Sequence, residues 1–223
     1  LFLFMSKKIV PLQRFFIKLM QITPSILTPQ TRLVIFDLDG TLYAKPHMVW
    51  HMLFSAPNEW RLMWAERKTR KQLRGKWLGD ENKFYQTYFQ TMATYCSLST
   101  DQLRTWYFEK YMPLMVNVIR KYYKTAEWIL PLILECKKRG IRLVILSDYG
   151  HTHEKLEALG IENDLFDWVV SAPELGGLKP APQLISKVTE SMGVTNSQCL
   201  IIGDRVDTDG LLAKSAGVAF CLV

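Results

Sequence analysis

Residues 34–43 read VIFDLDGTLY, and this stretch decides the fold because an apolar run ends abruptly in two carboxylates. Asp37 and Asp39 are separated by one residue, Leu38, and each negative charge disfavours ionisation of the other. Such crowding indicates that a cation lies between them or that one of them transfers protons. The branched residues before Asp37 are typical of a strand buried on both faces of a parallel sheet.

The same pattern recurs in the C-terminal part of the chain. Short apolar runs bounded by turn residues occupy 32–36, 141–147, 167–171, 199–203 and 218–223. The amphipathic stretches between them end at Gly140, Gly160 and Gly193, and a glycine commonly ends a helix. This alternation predicts an α/β fold with a doubly wound parallel sheet, whose ligands bind at the carboxyl ends of the strands.

Residues 44–130 break this alternation and contain no convincing strand. Aromatic residues recur at helical spacing between positions 84 and 95, and Ser99 and Gln102 have the spacing of a capping box. We expect an all-helical insertion after the first strand, and we interpret the aromatic residues as its packing core rather than as a surface for substrate stacking.

The composition is that of a soluble globular protein with a substantial core. The chain has 223 residues, of which 48% are hydrophobic, and its mean hydropathy is +0.00. Its net charge of +7 is carried by residues 44–130, whereas residues 131–223 are net acidic. A basic excess can indicate nucleic acid or an anionic membrane. The linear sequence shows no long basic stripe with interleaved aromatic residues, so no nucleic-acid partner is expected.

The cysteines and the N-terminal residues bear on the compartment. The four cysteines are far apart and form no CxxC pair, which favours reduced thiols and a cytoplasmic protein. Lys7 and Lys8 follow the first apolar stretch, whereas a signal peptide has its charges before it. No apolar run near the N-terminus reaches the roughly 20 residues of a membrane span. We expect an extension packed on the domain, with peripheral membrane contact by residues 1–20 as the alternative.

Polar residues follow several of the predicted strands and should meet in one crevice. They are Asp37, Asp39 and Thr41 after the first strand, Ser147 and Asp148 after the second, Lys179 in GGLKPAP, and Asp204, Asp207 and Asp209 in IIGDRVDTD. A cluster of oxygen ligands suits Mg²⁺, which bridges readily to phosphate. A lysine and a hydroxyl directed at the same point suit phosphate oxygens.

With these motifs the chain resembles the haloacid dehalogenase superfamily, in the phosphatase-type form with a helical cap inserted after the first motif. The four motifs of that superfamily occur in order: DLDGT, the strand-end Ser147, Lys179 in LKPAP, and the acidic loop after the GD pair. The resemblance covers about 31–43 and 140–223, and the cap resembles the family only in position and helical character. It implies an N-terminal extension (1–30), a core (31–44 and 131–223) and a cap (45–130).

The resemblance also implies a role for each motif residue. Asp37 would be the nucleophile that forms an aspartyl-phosphate, and Asp39 the general acid and base. Mg²⁺ would be held by Asp37, the backbone carbonyl of Asp39, and Asp204. Thr41, Ser147 and Lys179 would bind the phosphate, and Asp209 would support the metal. The dehalogenases of the superfamily lack an acid at the position of Asp39, which favours phosphate chemistry here.

The predicted function is therefore a Mg²⁺-dependent phosphatase acting on a small phosphomonoester. The alternatives are a phosphomutase with the same motifs, and a basic protein with vestigial motifs that binds nucleic acid or a membrane surface.

Several residues near the predicted site have no single assigned role. Asp148 either caps the next helix or touches the site, and the role of Asp207 is left open. The basic run 66–77 is either a solvated face or an attractor of anionic substrate. The four histidines are interpreted as substrate contacts or as polar residues of loops at the cap hinge, with a zinc site as a further alternative: His47, His51, His151 and His153.

Overall fold

The centre of the molecule is a five-stranded parallel sheet with the strand order β3-β2-β1-β4-β5. The computed structural model describes residues 23–223. The strands are β1 (Leu33–Phe36), β2 (Arg142–Ser147), β3 (Trp168–Ser171), β4 (Cys199–Gly203) and β5 (Ala219–Leu222). The chain winds outward from β1 in one direction and then in the other, and the change of direction at β1 opens a crevice at the carboxyl ends of the strands.

The register of the sheet brings the predicted motifs to one edge. Phe36 of β1 pairs with Ile145 of β2 and with Ile202 of β4, so the strands end at nearly the same level. All four residues of β1 are buried, as its uniformly apolar sequence predicts. The predicted α/β fold is confirmed, and each observed strand lies within one residue of the predicted run.

Four helices cover the two faces of the sheet: α6 (Ile129–Lys138), α7 (Thr152–Ala158), α8 (Gln183–Ser191) and α9 (Leu211–Ala216). The first three end just before Gly140, Gly160 and Gly193, which have positive φ angles of 65°, 71° and 59°. The left-handed conformation stops a helix there at little cost for glycine.

The inserted segment folds into five helices: α1 (Met48–Ser55), α2 (Trp60–Leu73), α3 (Glu81–Ala93), α4 (Thr100–Trp106) and α5 (Met112–Tyr122). A π-helical turn at Tyr107–Tyr111 joins α4 to α5. The predicted capping box is present, because Ser99 accepts from the backbone of Gln102 while the Gln102 side chain returns to the backbone of Ser99. The aromatic residues of α3 are buried, as expected for a packing core. The exact boundaries between core and cap stay a prediction.

A short backbone ladder joins the cap to the core. Leu78 donates to the carbonyl of Gly176 (2.7 Å), and Leu178 donates to the carbonyl of Lys76 (3.0 Å). Gly176 has φ of 89°, and a Cβ there would lie 2.6 Å from the backbone nitrogen of Asp80, so only glycine fits this approach. The loop that carries Lys179 is therefore paired directly with the cap.

The structure also bears on the predictions made for the cysteines and for membrane-spanning segments. All four cysteines are free, which agrees with the prediction of reduced thiols. Within residues 23–223 no helix has both the length and the apolarity to cross a bilayer. Most of the predicted N-terminal extension, including its possible membrane contact, lies outside the described residues.

Candidate active site

Asp37 stands at the carboxyl end of β1, where its backbone nitrogen still donates to the carbonyl of Ile202 in β4 (2.9 Å). One carboxylate oxygen accepts from the ammonium of Lys179 (2.6 Å), and the other accepts from the hydroxyl of Thr41 (2.8 Å). The side chain is buried, and this burial raises the pKa of Asp37 although Lys179 opposes the change. Asp37 is thus held in one orientation, with both oxygens engaged.

Lys179 is buried at the centre of an acidic cluster. Its ammonium lies 2.6 Å from Asp37 and 2.6 Å from Asp209. Burial by itself lowers the pKa of a lysine, but the charges of Asp209, Asp37 and Asp148 outweigh it and hold the pKa of Lys179 well above its usual value. Lys179 therefore carries a fixed positive charge between the two carboxylates.

Asp39 is bound by three donors. The hydroxyl of Tyr43 donates to one carboxylate oxygen (2.7 Å), while the ammonium of Lys155 (2.7 Å) and the hydroxyl of Ser147 (3.2 Å) donate to the other. Burial would raise the pKa of Asp39, but the charge and hydrogen bond of Lys155 and the Tyr43 hydroxyl lower it overall. In this arrangement Asp39 is a carboxylate at neutral pH.

Three carboxylates form a pocket of oxygen ligands. Asp37, Asp204 and Asp209 each offer an oxygen, and these atoms lie within 4.8 Å of one another. The ammonium of Lys45 lies 3.0 Å from Asp204 and also contacts the backbone carbonyl of Asp39. A positive group therefore occupies the space between two of the predicted metal ligands. An all-oxygen donor set that attracts a cation fits Mg²⁺.

The cap places an ion pair against this site. Arg70 of α2 donates to the carboxylate of Glu66 (2.8 Å) and to the backbone carbonyl of Asp148 (2.6 Å), and its guanidinium lies 3.8 Å from the ring centre of Tyr149. The hydroxyl of Tyr88 donates to the same Glu66 oxygen (2.8 Å). Arg70 thus links the cap to the residue that follows Ser147.

The basic run 66–77 divides between two environments. Arg70 is directed inward, whereas Arg67, Lys68 and Lys71 are exposed on the outer face of α2. Further along the run, Arg74 pairs with Asp207 on the core (2.5 Å). Its residues therefore serve different purposes, and only part of the run is a solvated face.

The structure shows the contacts of Asp148 and Asp207, whose roles the sequence left undecided. Asp148 accepts from the backbone nitrogen of Lys179 (2.8 Å), so it touches the site and fixes the lysine loop. It does not cap α7, whose first turn receives no side-chain cap. Asp207 is exposed and pairs with Arg74 and Arg205, away from the carboxylate cluster.

The four histidines lie outside the carboxylate cluster. His51 shares a hydrogen bond with the hydroxyl of Tyr123 (2.9 Å), and His153 with the side chain of Asn163 (3.0 Å). His47 and His151 precede α1 and α7 with positive φ angles of 60° and 52°. In the part of the chain that the structure describes, the group of possible metal ligands contains aspartates and no histidine.

The structure thus brings together all seven predicted site residues: Asp37, Asp39, Thr41, Ser147, Lys179, Asp204 and Asp209. The sequence-based reasoning missed Tyr43, Lys45 and Lys155, which contact the aspartates directly. Lys155 had a signal, because it shares the inward face of α7 with Thr152 and Leu156 at helical spacing. Lys45 lies in a loop, and no sequence pattern there indicated that it would contact the site.

Comparison with known proteins agrees with this geometry. Residues 31–217 match a family described as haloacid dehalogenase-like hydrolase. The chain belongs to this family. The expected hydrolase of the haloacid dehalogenase superfamily is therefore confirmed, and the roles of individual site residues stay predictions.

The chain is similar to several curated proteins, most of which are named as phosphatases. A glyceraldehyde 3-phosphate phosphatase of Methanocaldococcus jannaschii is 27% identical over 197 residues, which cover 83% of this chain and 81% of that protein. The chloroplastic protein SUPPRESSOR OF QUENCHING 1 of Arabidopsis thaliana is 33% identical over 95 residues, 42% of this chain but only 9% of the plant protein.

Among solved structures, a predicted phosphoglycolate phosphatase from Haemophilus somnus 129pt superimposes with a TM-score of 0.59 and 20% identity, covering 86% of this chain and 85% of that one. At this identity the likeness shows the fold alone.

Proposed function

We propose that this haloacid dehalogenase-like hydrolase is a Mg²⁺-dependent phosphatase that hydrolyses a small phosphomonoester through an aspartyl-phosphate. The observation that carries the proposal is the convergence of Asp37, Asp204 and Asp209 within 4.8 Å, with Lys179 between two of them. A buried lysine beside clustered carboxylates provides binding positions for a phosphate dianion and for a cation together.

The proposed metal ligands are Asp37, the backbone carbonyl of Asp39, and Asp204, with Asp209 in support. The position of the Lys45 ammonium, in contact with Asp204 and the Asp39 carbonyl, supports this choice because it shows where positive charge is stabilised. When bound, the ion would neutralise charge on the phosphate and on the nucleophile.

Asp37 is the proposed nucleophile. Its carboxylate would attack phosphorus and form an acyl phosphate, while the ester oxygen leaves. Lys179 supports this role because its ammonium favours the ionised carboxylate against the effect of burial. Thr41 holds the second carboxylate oxygen and so restricts rotation of the side chain.

Asp39 is the proposed general acid and base. It would protonate the leaving oxygen in the first step and remove a proton from water in the second. The lowered pKa of Asp39 keeps it a carboxylate in the free enzyme, which is the form that a general base needs in the second step. We propose that the phosphate dianion, when bound nearby, raises this pKa and favours the protonated form for the first step. Ser147 and Lys179 would bind the phosphoryl oxygens.

We propose a small phosphorylated metabolite as the substrate. The proposed nucleophile and the lysine beside it are almost completely enclosed, since Asp37 is 7% exposed and Lys179 is 3% exposed with the cap in place. The phosphatase names of the relatives support the reaction class. The free cysteines support the cytoplasm as the compartment.

The test is turnover of p-nitrophenyl phosphate, followed by a panel of metabolite phosphates. Asp37→Asn keeps the size of the side chain but removes the attacking charge, so kcat should fall by several orders of magnitude. Asp164→Asn, an exposed change on the core, is the matched control and should leave kcat unchanged. A folded Asp37→Asn protein with normal turnover would refute the covalent mechanism.

The metal requirement is tested on the same assay. EDTA should abolish turnover, and Mg²⁺ should restore it. Ca²⁺ should inhibit, because its looser coordination misplaces the reacting groups. Rescue by Zn²⁺ and not by Mg²⁺ would contradict the proposed oxygen-ligand site.

A further inference from the structure

The outer face of α2 is an unusual surface, and we call it the aromatic–basic face. Its members are Trp60, Arg61, Trp64, Arg67, Lys68 and Lys71, all of them exposed. Their spacing along one helix of 14 residues places them on a single side, opposite the buried Ala65, Glu66, Thr69 and Leu73. The face was not evident in the linear sequence, because the inward residues interrupt it.

The cations and the aromatic rings of this face are close together. The guanidinium of Arg61 lies 5.3 Å from the ring centre of Trp60, and the ammonium of Lys68 lies 5.2 Å from that of Trp64. Trp60 and Trp64 are 53% and 49% exposed. They also line an open groove of about 690 Å³ beside Tyr95.

The preceding helix adds apolar residues without any charge. Helix α1 has the sequence MVWHMLFS, in which Val49, Trp50 and Phe54 are 52%, 58% and 77% exposed. The rings of Trp50 and Phe54 stack at 6.1 Å. Large apolar side chains left in water to this extent commonly mark an interaction site.

We propose that the aromatic–basic face, together with the exposed residues of α1, docks the enzyme on an anionic lipid surface. Indole rings are favoured at the interface between headgroups and acyl chains. Four basic residues and no acidic residue on the exposed face complement the charge of anionic headgroups. The cytoplasmic leaflet of a membrane has this charge, so the proposal is consistent with the proposed compartment.

Two features favour lipid over nucleic acid. Val49 and Phe54 belong to α1, which contains no Lys or Arg, and a nucleic acid would leave such apolar side chains in water. The sequence ahead of the described residues has the same chemistry, with four basic and no acidic residues in positions 1–22. Apolar insertion with electrostatic attraction is the usual combination for binding at a membrane surface.

The experiment is co-sedimentation of the full chain with vesicles. Vesicles of phosphatidylcholine and phosphatidylglycerol should bind the protein, whereas vesicles of phosphatidylcholine alone should bind it far more weakly. Added salt should weaken the binding. Failure to bind the anionic vesicles would overturn the proposal, and so would equal binding to both kinds of vesicle.

Two sets of variants test the location. In the first set, Trp60→Ser/Trp64→Ser removes the aromatic part and should weaken binding to the anionic vesicles. In the second, Arg67→Gln/Lys68→Gln/Lys71→Gln should weaken partitioning on the order of a hundredfold, since each basic residue near an anionic surface contributes about fivefold. Both sets should retain turnover of p-nitrophenyl phosphate, because none of these residues contacts the carboxylate cluster.

Helix α6 provides matched controls. It exposes an apolar pair, Leu130 and Leu134, and a basic pair, Lys137 and Lys138, on the core. Leu130→Ser/Leu134→Ser and Lys137→Gln/Lys138→Gln should leave vesicle binding nearly unchanged. An equal loss in these variants would refute a specific docking face, and so would a single-stranded oligonucleotide that binds through α2 while vesicles do not.

Discussion

The ammonium of Lys155 lies 2.7 Å from a carboxylate oxygen of Asp39, with the Lys155 side chain fully buried and that of Asp39 11% exposed. These residues are 116 positions apart in the sequence, so the pair exists only because β1 and α7 meet at the same edge of the sheet. A buried ion pair fixes the position of both groups and lowers the pKa of the carboxylate. Lys155 therefore influences the residue proposed to transfer protons.

Replacing Lys155 by Met should raise the pKa of Asp39. The ammonium is the main influence that lowers this pKa, and burial, which raises it, would remain. Any limb of the pH–rate profile that Asp39 governs should therefore move to higher pH, and kcat should fall. The measurement is kcat/KM for p-nitrophenyl phosphate as a function of pH.

Lys187→Met is the control, since Lys187 is exposed on α8 and is not among the donors to the Asp39 carboxylate. Its profile should coincide with that of the unaltered enzyme. An unmoved profile in folded Lys155→Met would show that Lys155 has no influence on the proton-transferring group.

Replacing Lys45 by Met should tighten Mg²⁺ binding. The Lys45 ammonium contacts Asp204 and the Asp39 carbonyl, so it competes with a cation for these oxygens. We expect an affinity gain of roughly tenfold, about 1.4 kcal/mol, because both groups are partly exposed and solvent screens the interaction. Calorimetric titration with Mg²⁺ measures it without substrate.

Lys83→Met provides the comparison, because Lys83 also pairs with an aspartate, Asp80, but on the exposed surface of the cap. It should not change Mg²⁺ affinity. Weaker binding by Lys45→Met would mean that the lysine assists the metal site rather than competing with the ion.

Replacing Arg70 by Met should destabilise the protein by about 3 kcal/mol, because it leaves the buried carboxylate of Glu66 without its ionic partner. Urea denaturation measures the change in the free energy of unfolding. Arg67→Met, one turn earlier on the exposed face, should change it by less than about 0.5 kcal/mol. Addition of Glu66→Gln to Arg70→Met should recover part of the loss, and equal effects of Arg70→Met and Arg67→Met would argue against the buried pair.

Gly176→Ala should impair both stability and turnover. A Cβ at this position would lie 2.6 Å from the backbone of Asp80, so the cap and the lysine loop would have to separate. Gly160 also has a positive φ angle, of 71°, but a Cβ there meets no atom within 4 Å. Gly160→Ala should therefore lose only the roughly 1 kcal/mol expected for the backbone conformation. Thermal unfolding and kcat distinguish the two, and equal losses would contradict the proposed close contact.

The fold was predictable because each strand has a local signature. Runs such as RLVIF and CLIIG are too short and too branched for helices, and the glycines after the intervening stretches mark helix ends. The motif residues follow these strands directly, so the parallel topology was sufficient to bring Asp37, Ser147 and Asp204 together. In these cases the place of each residue at the end of a strand predicted that the three side chains lie close together.

The remaining contacts depend on packing that the sequence does not display. Arg70 lies within a basic run that reads as solvated, although Glu66 four residues earlier gave a hint of a pair on one helical side. The hydrogen bond from Tyr43 to Asp39 depends on the turn that Gly40 permits, with φ of 101°. The bond from Arg70 to the Asp148 carbonyl joins two segments 78 residues apart, and no local pattern indicates it.

The backbone ladder between Lys76–Leu78 and Gly176–Leu178 limits how this enzyme could be re-engineered. A cap exchanged between two family members at the predicted boundaries would carry away one side of that ladder and keep the other. Because Lys179 follows Leu178 directly, a foreign cap with a different edge would shift the ammonium relative to Asp37. A chimera should therefore transplant the loop 175–180 together with its cap, so that both sides of the ladder and the position of Lys179 are inherited as one unit.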